Sequence, residues 1–152
     1  MTVHFTQTTL VPASVQQTFD ASLSVDVHLE SLAHTGEEIV SGVEGGIMAD
    51  GDTVTWRARH FGIWWHMTSI ISEYDPPTFF VDQQHQGPFT AFRHEHHFEP
   101  EGEGTRMRDV VEFTAPFGPL GVVAEKVVLA RYMKQLIATR NRALVSHLER
   151  SG

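Results

Sequence analysis

Phe92-Arg93-His94-Glu95-His96-His97-Phe98 is the stretch on which the fold turns. Its polarity alternates with a period of two, the signature of a half-buried strand. Phe92, His94, His96 and Phe98 share one face, while Arg93, Glu95 and His97 take the other. The charged pair prefers water and the phenylalanines prefer the core, so both His94 and His96 should point inward. Two imidazoles between buried phenyl rings are costly to place unless something inside needs them.

The neighbouring segments alternate too. Over Thr53 to Phe61 the residues Val54, Trp56, Ala58 and His60 fall on one face, opposite Arg57 and Arg59, so Trp56 and His60 should point inward. Over Thr105 to Phe113 the inner set is Met107, Val111 and Phe113, together with Asp109, the one charged residue of that face. A turn near Gly102 joins the last two strands, and two registers keep inner face against inner face. One pairs His94 with Asp109; the other, slipped by two residues, pairs His96 with Asp109. In both, Asp109 sits beside an inward histidine that it would hold in one tautomer or protonated. For Ile63 to Ile71 the preferred inward set is Ile63, Trp65, Met67, Ser69 and Ile71, with Trp64 and His66 outside. For Thr78 to Gln84 the two parities score alike, either Phe80, Asp82 and Gln84 or Phe79 and Val81 facing inward.

Outward from this centre, His4 to Val11 reads as a first strand stopped by Pro12. Ser14-Val15-Gln16-Gln17 supplies a capping box for a short helix, and a second short helix covers Val25 to Leu32. Gly45-Gly46, Asp50-Gly51, Asp75-Pro76-Pro77, Gln86-Gly87-Pro88 and Glu101-Gly102-Glu103-Gly104 separate five or six strands between Glu38 and Phe113. Gly118-Pro119 opens a final helix running to Leu148, about 40 Å long at 1.5 Å per residue. Leu129, Met133, Leu136, Ile137, Leu144 and Leu148 form its apolar stripe. The order predicts an α+β fold in which a curved antiparallel sheet wraps around the long C-terminal helix, with two short helices after the first strand.

Composition narrows the function. The chain has 152 residues, 41% hydrophobic and 20% charged, which suits one globular domain over residues 1–152. A formal charge of −8 argues against a nucleic acid or an anionic membrane surface as partner. The absence of cysteine excludes disulfides, thiolate nucleophiles and cysteine metal sites. No signal-peptide pattern and no apolar run of about 20 residues is visible, so the expectation is a cytoplasmic protein without membrane insertion. The outward Trp64 and His66 leave room for self-association as a homodimer.

Three readings compete for the inward polar set. A satisfied core network would explain one isolated histidine, but His60, His94, His96 and Asp109 together are a poor way to fill a core. A metal site would use His94-x-His96, which comes near the cupin signature. The glycine spacing, the missing closing glycine and the long helix all depart from that signature, so no metal and no other cofactor is expected. The third reading is a small-molecule pocket with Trp56, Phe92, Phe98, Met107 and Phe113 as walls and His60, His94, His96 and Asp109 at the polar end. In that pocket His94, His96 and Asp109 are the candidates for acid–base catalysis. No nucleophile elbow, phosphate loop or HExxH motif is present.

Val11-Pro12-Ala13-Ser14-Val15-Gln16-Gln17-Thr18-Phe19-Asp20 resembles the opening motif of the START-like helix-grip superfamily, also called SRPBCC. Gly51-Asp52-Thr53-Val54-Thr55-Trp56, Ile71-Ser72-Glu73-Tyr74-Asp75-Pro76-Pro77, Gly87-Pro88-Phe89 and the Gly104-Thr105 stretch leading to Asp109 extend the resemblance over nearly the whole chain. More closely, the chain is similar to a bacterial branch labelled cell-division-inhibitor-like. The resemblance implies a single ligand-binding domain with a hydrophobic cavity between sheet and C-terminal helix, which takes lipids, polyketides or other apolar molecules. Some members catalyse cyclisation or dehydration, and their catalytic residues vary, so no role transfers by position. Two functional expectations follow. The first is a binding protein for a small, mostly apolar molecule; the alternative is a cyclase or dehydratase using a His–Asp pair.

Overall fold

Thr2–Val11 forms β1, after which Pro12 ends the strand and Ser14 caps α1 (Val15–Leu23). The Ser14 hydroxyl accepts from the Gln17 N–H at 3.1 Å and the Gln17 side chain accepts from the Ser14 N–H at 3.1 Å, closing the expected capping box. Ser24 then caps α2 (Val25–Ser31), and a single 3₁₀ turn covers Ala33–Thr35. Six further strands follow: β2 (Glu38–Gly42), β3 (Thr53–His60), β4 (Ile63–Asp75), β5 (Phe79–Gln86), β6 (Ala91–Glu101) and β7 (Gly104–Thr114). The chain closes with α3 (Val122–Ser151). The computed structural model describes residues 2–115 and 122–151, so the Gly118-Pro119 helix opening lies outside the described residues.

All strand pairs are antiparallel, in the order β1-β7-β6-β5-β4-β3-β2. The α+β class and the two short helices after β1 stand. The expected curved sheet wrapped around the C-terminal helix is corrected: the sheet is open, neither closed nor strongly curled. Closure would require β1 and β2 to pair, but β1 has ten residues, whereas β2 has five and shifts register between Ile39 and Ser41. Instead, three helices share the covering of one sheet face. Phe19 of α1 packs on Phe80 and Phe98, with ring centroids 5.7 and 5.4 Å away. Met133 and Ile137 of α3 pack in a second cluster with Val3, Phe5, Phe92, Val111 and Phe113.

The β6–β7 hairpin adopts the slipped register, with His96 opposite Asp109 and Phe98 opposite Met107. Gly102 takes the left-handed conformation (φ 58°) at the turn. Gly104 serves a close approach instead. A Cβ there would collide with the Val11 carbonyl oxygen, so only glycine lets the end of β1 come near. On β4, Trp65, Met67, Ser69 and Ile71 face inward as expected, and Trp64 and His66 are exposed. Ile63 departs from its expected inward place and is exposed, because it follows the Phe61-Gly62 turn at the sheet margin. On β5 the open parity resolves with Phe80 and Asp82 on the cavity side. Among the described residues no helix is long and apolar enough to cross a membrane.

Candidate active site

Sheet and helices leave between them a cavity of about 580 Å³, most of its wall apolar. Trp56, His60, Phe92, His94 and His96, all expected at a ligand site, line it. Phe98, Met107, Phe113 and Asp109 do not. Alternation places them on the inner face, but Phe98 is covered by Phe19, Met107 lies against Ser22, and Phe113 is buried behind Phe89 and Phe92. An inward direction is shared by cavity wall and packed core, and only the helices decide between them.

Asp109 is 0% exposed and forms the foundation of a polar cluster. Its burial would raise the carboxyl pKa, but the His94 hydrogen bond and the charges of His94, Arg140 and His96 outweigh that and hold it well below the usual range. As an ionised carboxylate it can only accept. His94 therefore donates from Nε2 to Oδ1 at 2.7 Å, and Asn141 donates from Nδ2 to Oδ2 at 2.7 Å. Arg140 Nη1 lies 3.5 Å from Oδ1 and donates to Asn141 Oδ1 at 3.0 Å. With Nε2 donating to Asp109, Nδ1 is the His94 ring nitrogen left to carry a lone pair, and Asp82 Oδ2 lies 3.9 Å from it.

Asp82 is the accessible member, with 26% of its side chain exposed. Burial opposes its ionisation, yet the His96 hydrogen bond and the nearby His94, His96 and Arg140 charges bring its pKa down to about 2. His96 consequently donates from Nε2 to Asp82 Oδ2 at 2.5 Å. Burial, and then the charge of His94, lower the His96 pKa to about 4, with Asp82 pulling the other way, so this ring is neutral near pH 7. Its Nδ1 is buried without a hydrogen bond, 3.5 Å from an Asp109 oxygen that can only accept as well. Phe80, His96 and His94 stack in sequence, with centroid separations of 4.1 and 3.8 Å, which fixes both imidazole planes.

His60 does not join this cluster. It hydrogen-bonds the Tyr132 hydroxyl of α3 at another part of the cavity, where burial lowers its pKa against the raising influence of Glu37, with His34 lowering it further. Sequence reasoning misses Asp82, whose parity it leaves open, and Arg140 and Asn141. Those two fall three and four residues after Ile137, inside the apolar stripe, and that spacing is the available signal.

Asp82, His94 and His96 each offer a donor atom within 4.8 Å of the others, the composition of a two-histidine, one-carboxylate metal site. The fit is poor, because Asp82 and His96 are already joined by a 2.5 Å hydrogen bond and Arg140 places a cation on the same cluster. Hydrogen-bonded acids and bases on a mostly apolar cavity wall are a set able to transfer protons.

Among solved structures the chain resembles a protein of Thermus thermophilus at 14% identity, with a TM-score of 0.81 and 99% of each chain covered. It resembles the Zhui aromatase/cyclase of a Streptomyces species at 15% identity, with a TM-score of 0.78, covering 99% of this chain and 95% of that one. It also resembles a START superfamily protein of Mycobacterium smegmatis at 14% identity, with a TM-score of 0.73 and coverages of 95% and 98%. These likenesses show the fold. No curated protein matches. The family described as polyketide cyclase / dehydrase and lipid transport matches residues 2–149. Nearly the whole chain is accounted for by that match, and the protein belongs to this family.

Proposed function

We propose that this protein is a cyclase- or dehydratase-type enzyme that removes a proton from carbon next to a carbonyl in a mostly apolar substrate. The observation that supports this most is the pair of His–Asp hydrogen bonds, His94–Asp109 and His96–Asp82, on one wall of an apolar cavity. Likeness in fold to an aromatase/cyclase agrees with it.

His94 is the base. Its Nδ1 lone pair is available, and Asp109 behind it holds the tautomer and stabilises the imidazolium formed on proton uptake. Asn141 and Arg140 keep Asp109 ionised throughout. Arg140, which also lines the cavity, provides cationic N–H groups toward the oxygen on which negative charge develops as the enolate forms. The neutral His96 ring donates to Asp82, so Asp82 stays an anion fixed in direction and repels a second carboxylate-like group. Phe80, Phe92, Trp65 and Met133 give the cavity apolar wall around the reacting end. A protein that only binds an apolar molecule would use the same cavity without needing an activated His94.

The two readings separate in one experiment. With β-tetralone as a probe ketone in deuterated buffer, wild type should accelerate exchange of the proton next to the carbonyl. His94→Gln should lower that rate about a hundredfold or more while changing probe affinity less than about tenfold. A wild-type rate no faster than buffer, or equal losses of rate and binding, would reject the catalytic reading.

A further inference from the structure

A second polar group faces the same cavity near the β2 edge of the sheet. Gly36, in the left-handed conformation (φ 68°), ends the 3₁₀ turn and lies beneath the Trp64 ring, where a Cβ would approach Cη2 to 3.1 Å. The chain leaves that turn with Glu37 directed to the cavity wall, just before β2 begins. The Glu37 side chain is only 7% exposed. Its Oε1 is buried and accepts no hydrogen bond, although His28 Nε2 approaches to 2.8 Å. The reason is visible in His28: its ring lies over the Trp56 indole at 4.2 Å and 31°, so stacking rather than the carboxylate sets the direction of its N–H. His60, bonded to Tyr132, stands at the end of β3 in the same region of the lining.

A buried carboxylate oxygen whose one neighbouring nitrogen, His28 Nε2, is close but not aimed at it is incompletely satisfied, and a ligand that brings an aligned donor removes that cost. The nearby wall, formed by Trp56, Trp65, Phe61 and Tyr132, is aromatic and suits a flat conjugated ring. Glu37 immediately precedes β2 and Asp82 lies on β5, three strands away in the sheet order, so the two polar groups meet the cavity at separate places.

We infer that Glu37, with His28 and Trp56, forms a second recognition pole that binds a hydroxyl at the far end of an elongated conjugated ligand whose carbonyl end lies at His94 and Arg140. This deepens the catalytic reading and rests on its use of the cavity, since it names the substrate class: a rod-like, multi-ring or polyenyl ketone carrying a terminal hydroxyl.

The test uses trans-stilbene bearing a para hydroxyl on each ring, and its monomethyl ether, with calorimetric affinities. Wild type should bind the diol at least tenfold more tightly than the ether. Glu37→Met should bind the two alike, because either probe can leave its hydroxyl at the Asp82 end. Glu37→Gln keeps the shape and should narrow the preference several-fold; if the methionine variant fails to fold, the glutamine variant decides. A preference that is the same in all three proteins, or a wild type that binds neither probe, overturns the second pole. Because ketone exchange is measured separately, a Glu37-dependent preference without exchange activity would sink only the catalytic reading. Exchange activity with a Glu37-independent preference would sink only this one.

Discussion

At the β5–β6 end of the cavity, Asp82, His94 and His96 hang from the middle of strands that are paired on both sides. At the β2–β3 end, Glu37, His28 and His60 sit where a helix, a turn and a strand end meet. The first group inherits its positions from the backbone ladder and from ring stacking, and its one orphan nitrogen is walled in by Asp109. The second rests on single contacts and is bordered by the exposed Phe61, Ile63 and Trp64. Groups carried by strands are held more precisely than groups carried by junctions. One end is therefore built to hold a proton donor and acceptor in place, and the other to accommodate whatever enters.

The largest effect should come from breaking the rigid end. Asp109→Ala leaves Arg140 and His94 buried without their carboxylate and should cost about 3–5 kcal/mol in urea unfolding. A cost near zero would mean that the cluster is far wetter than its burial indicates.

Acid should act on both ends, through His96 at one and His60 at the other, and the His96 part is separable by mutation. The His96 pKa of about 4 lies below its ordinary 6.5, so between those values the unfolded chain holds a proton that the folded one does not. Stability should fall as pH drops from 6.5 to 4, by up to about 1.4 kcal/mol per pH unit. Asp82, near 2 instead of 3.8, extends the loss below pH 4, since its stabilisation is present above the ordinary value and disappears as the folded pKa is passed. His96→Phe should flatten the upper slope; an unchanged slope would assign it to other groups.

The smallest effect belongs to the adaptable end. Tyr132→Phe removes the partner of His60 and should cost about 1 kcal/mol or less, read as a small shift in the urea midpoint. A loss as large as that of Asp109→Ala would erase the contrast.

The alternation of Phe92 to Phe98 and of Thr105 to Phe113 is legible because each strand buries one face against a core and exposes the other. Both histidines and Asp109 are buried where parity puts them. The choice of hairpin register is not legible. Gly102 and Gly104 both suit a tight turn, and what separates their roles is the approach of Val11, a contact remote in sequence. The parity of β5 is hidden because Phe80 and Val81, adjacent and on opposite faces, are both fully buried. Phe98, Met107 and Phe113 pass for cavity wall because strand period reports a face, not the helix that covers it. The order of elements gives the α+β class, but it also leads to an expectation of wrapping that the five-residue edge strand β2 does not support. Glu37 lies in the junction between the 3₁₀ turn and β2, where a one-dimensional pattern has nothing to say, and its neighbour His28 is a polar residue on the short helix α2.

Asn141 has a consequence beyond the chemistry it supports. A slip of α3 by one residue would turn the helix by about 100° and advance it about 1.5 Å, carrying this amide off Asp109 and leaving a buried anion short of a donor. Apolar neighbours such as Leu144 and Ile137 would tolerate such a slip far better, since their contacts have no direction. The amide thus acts as an index mark between helix and sheet: apolar packing presses the two layers together, and directional polar contacts, this one the shortest to Asp109 from the helix, select one alignment among the many that oil alone would accept.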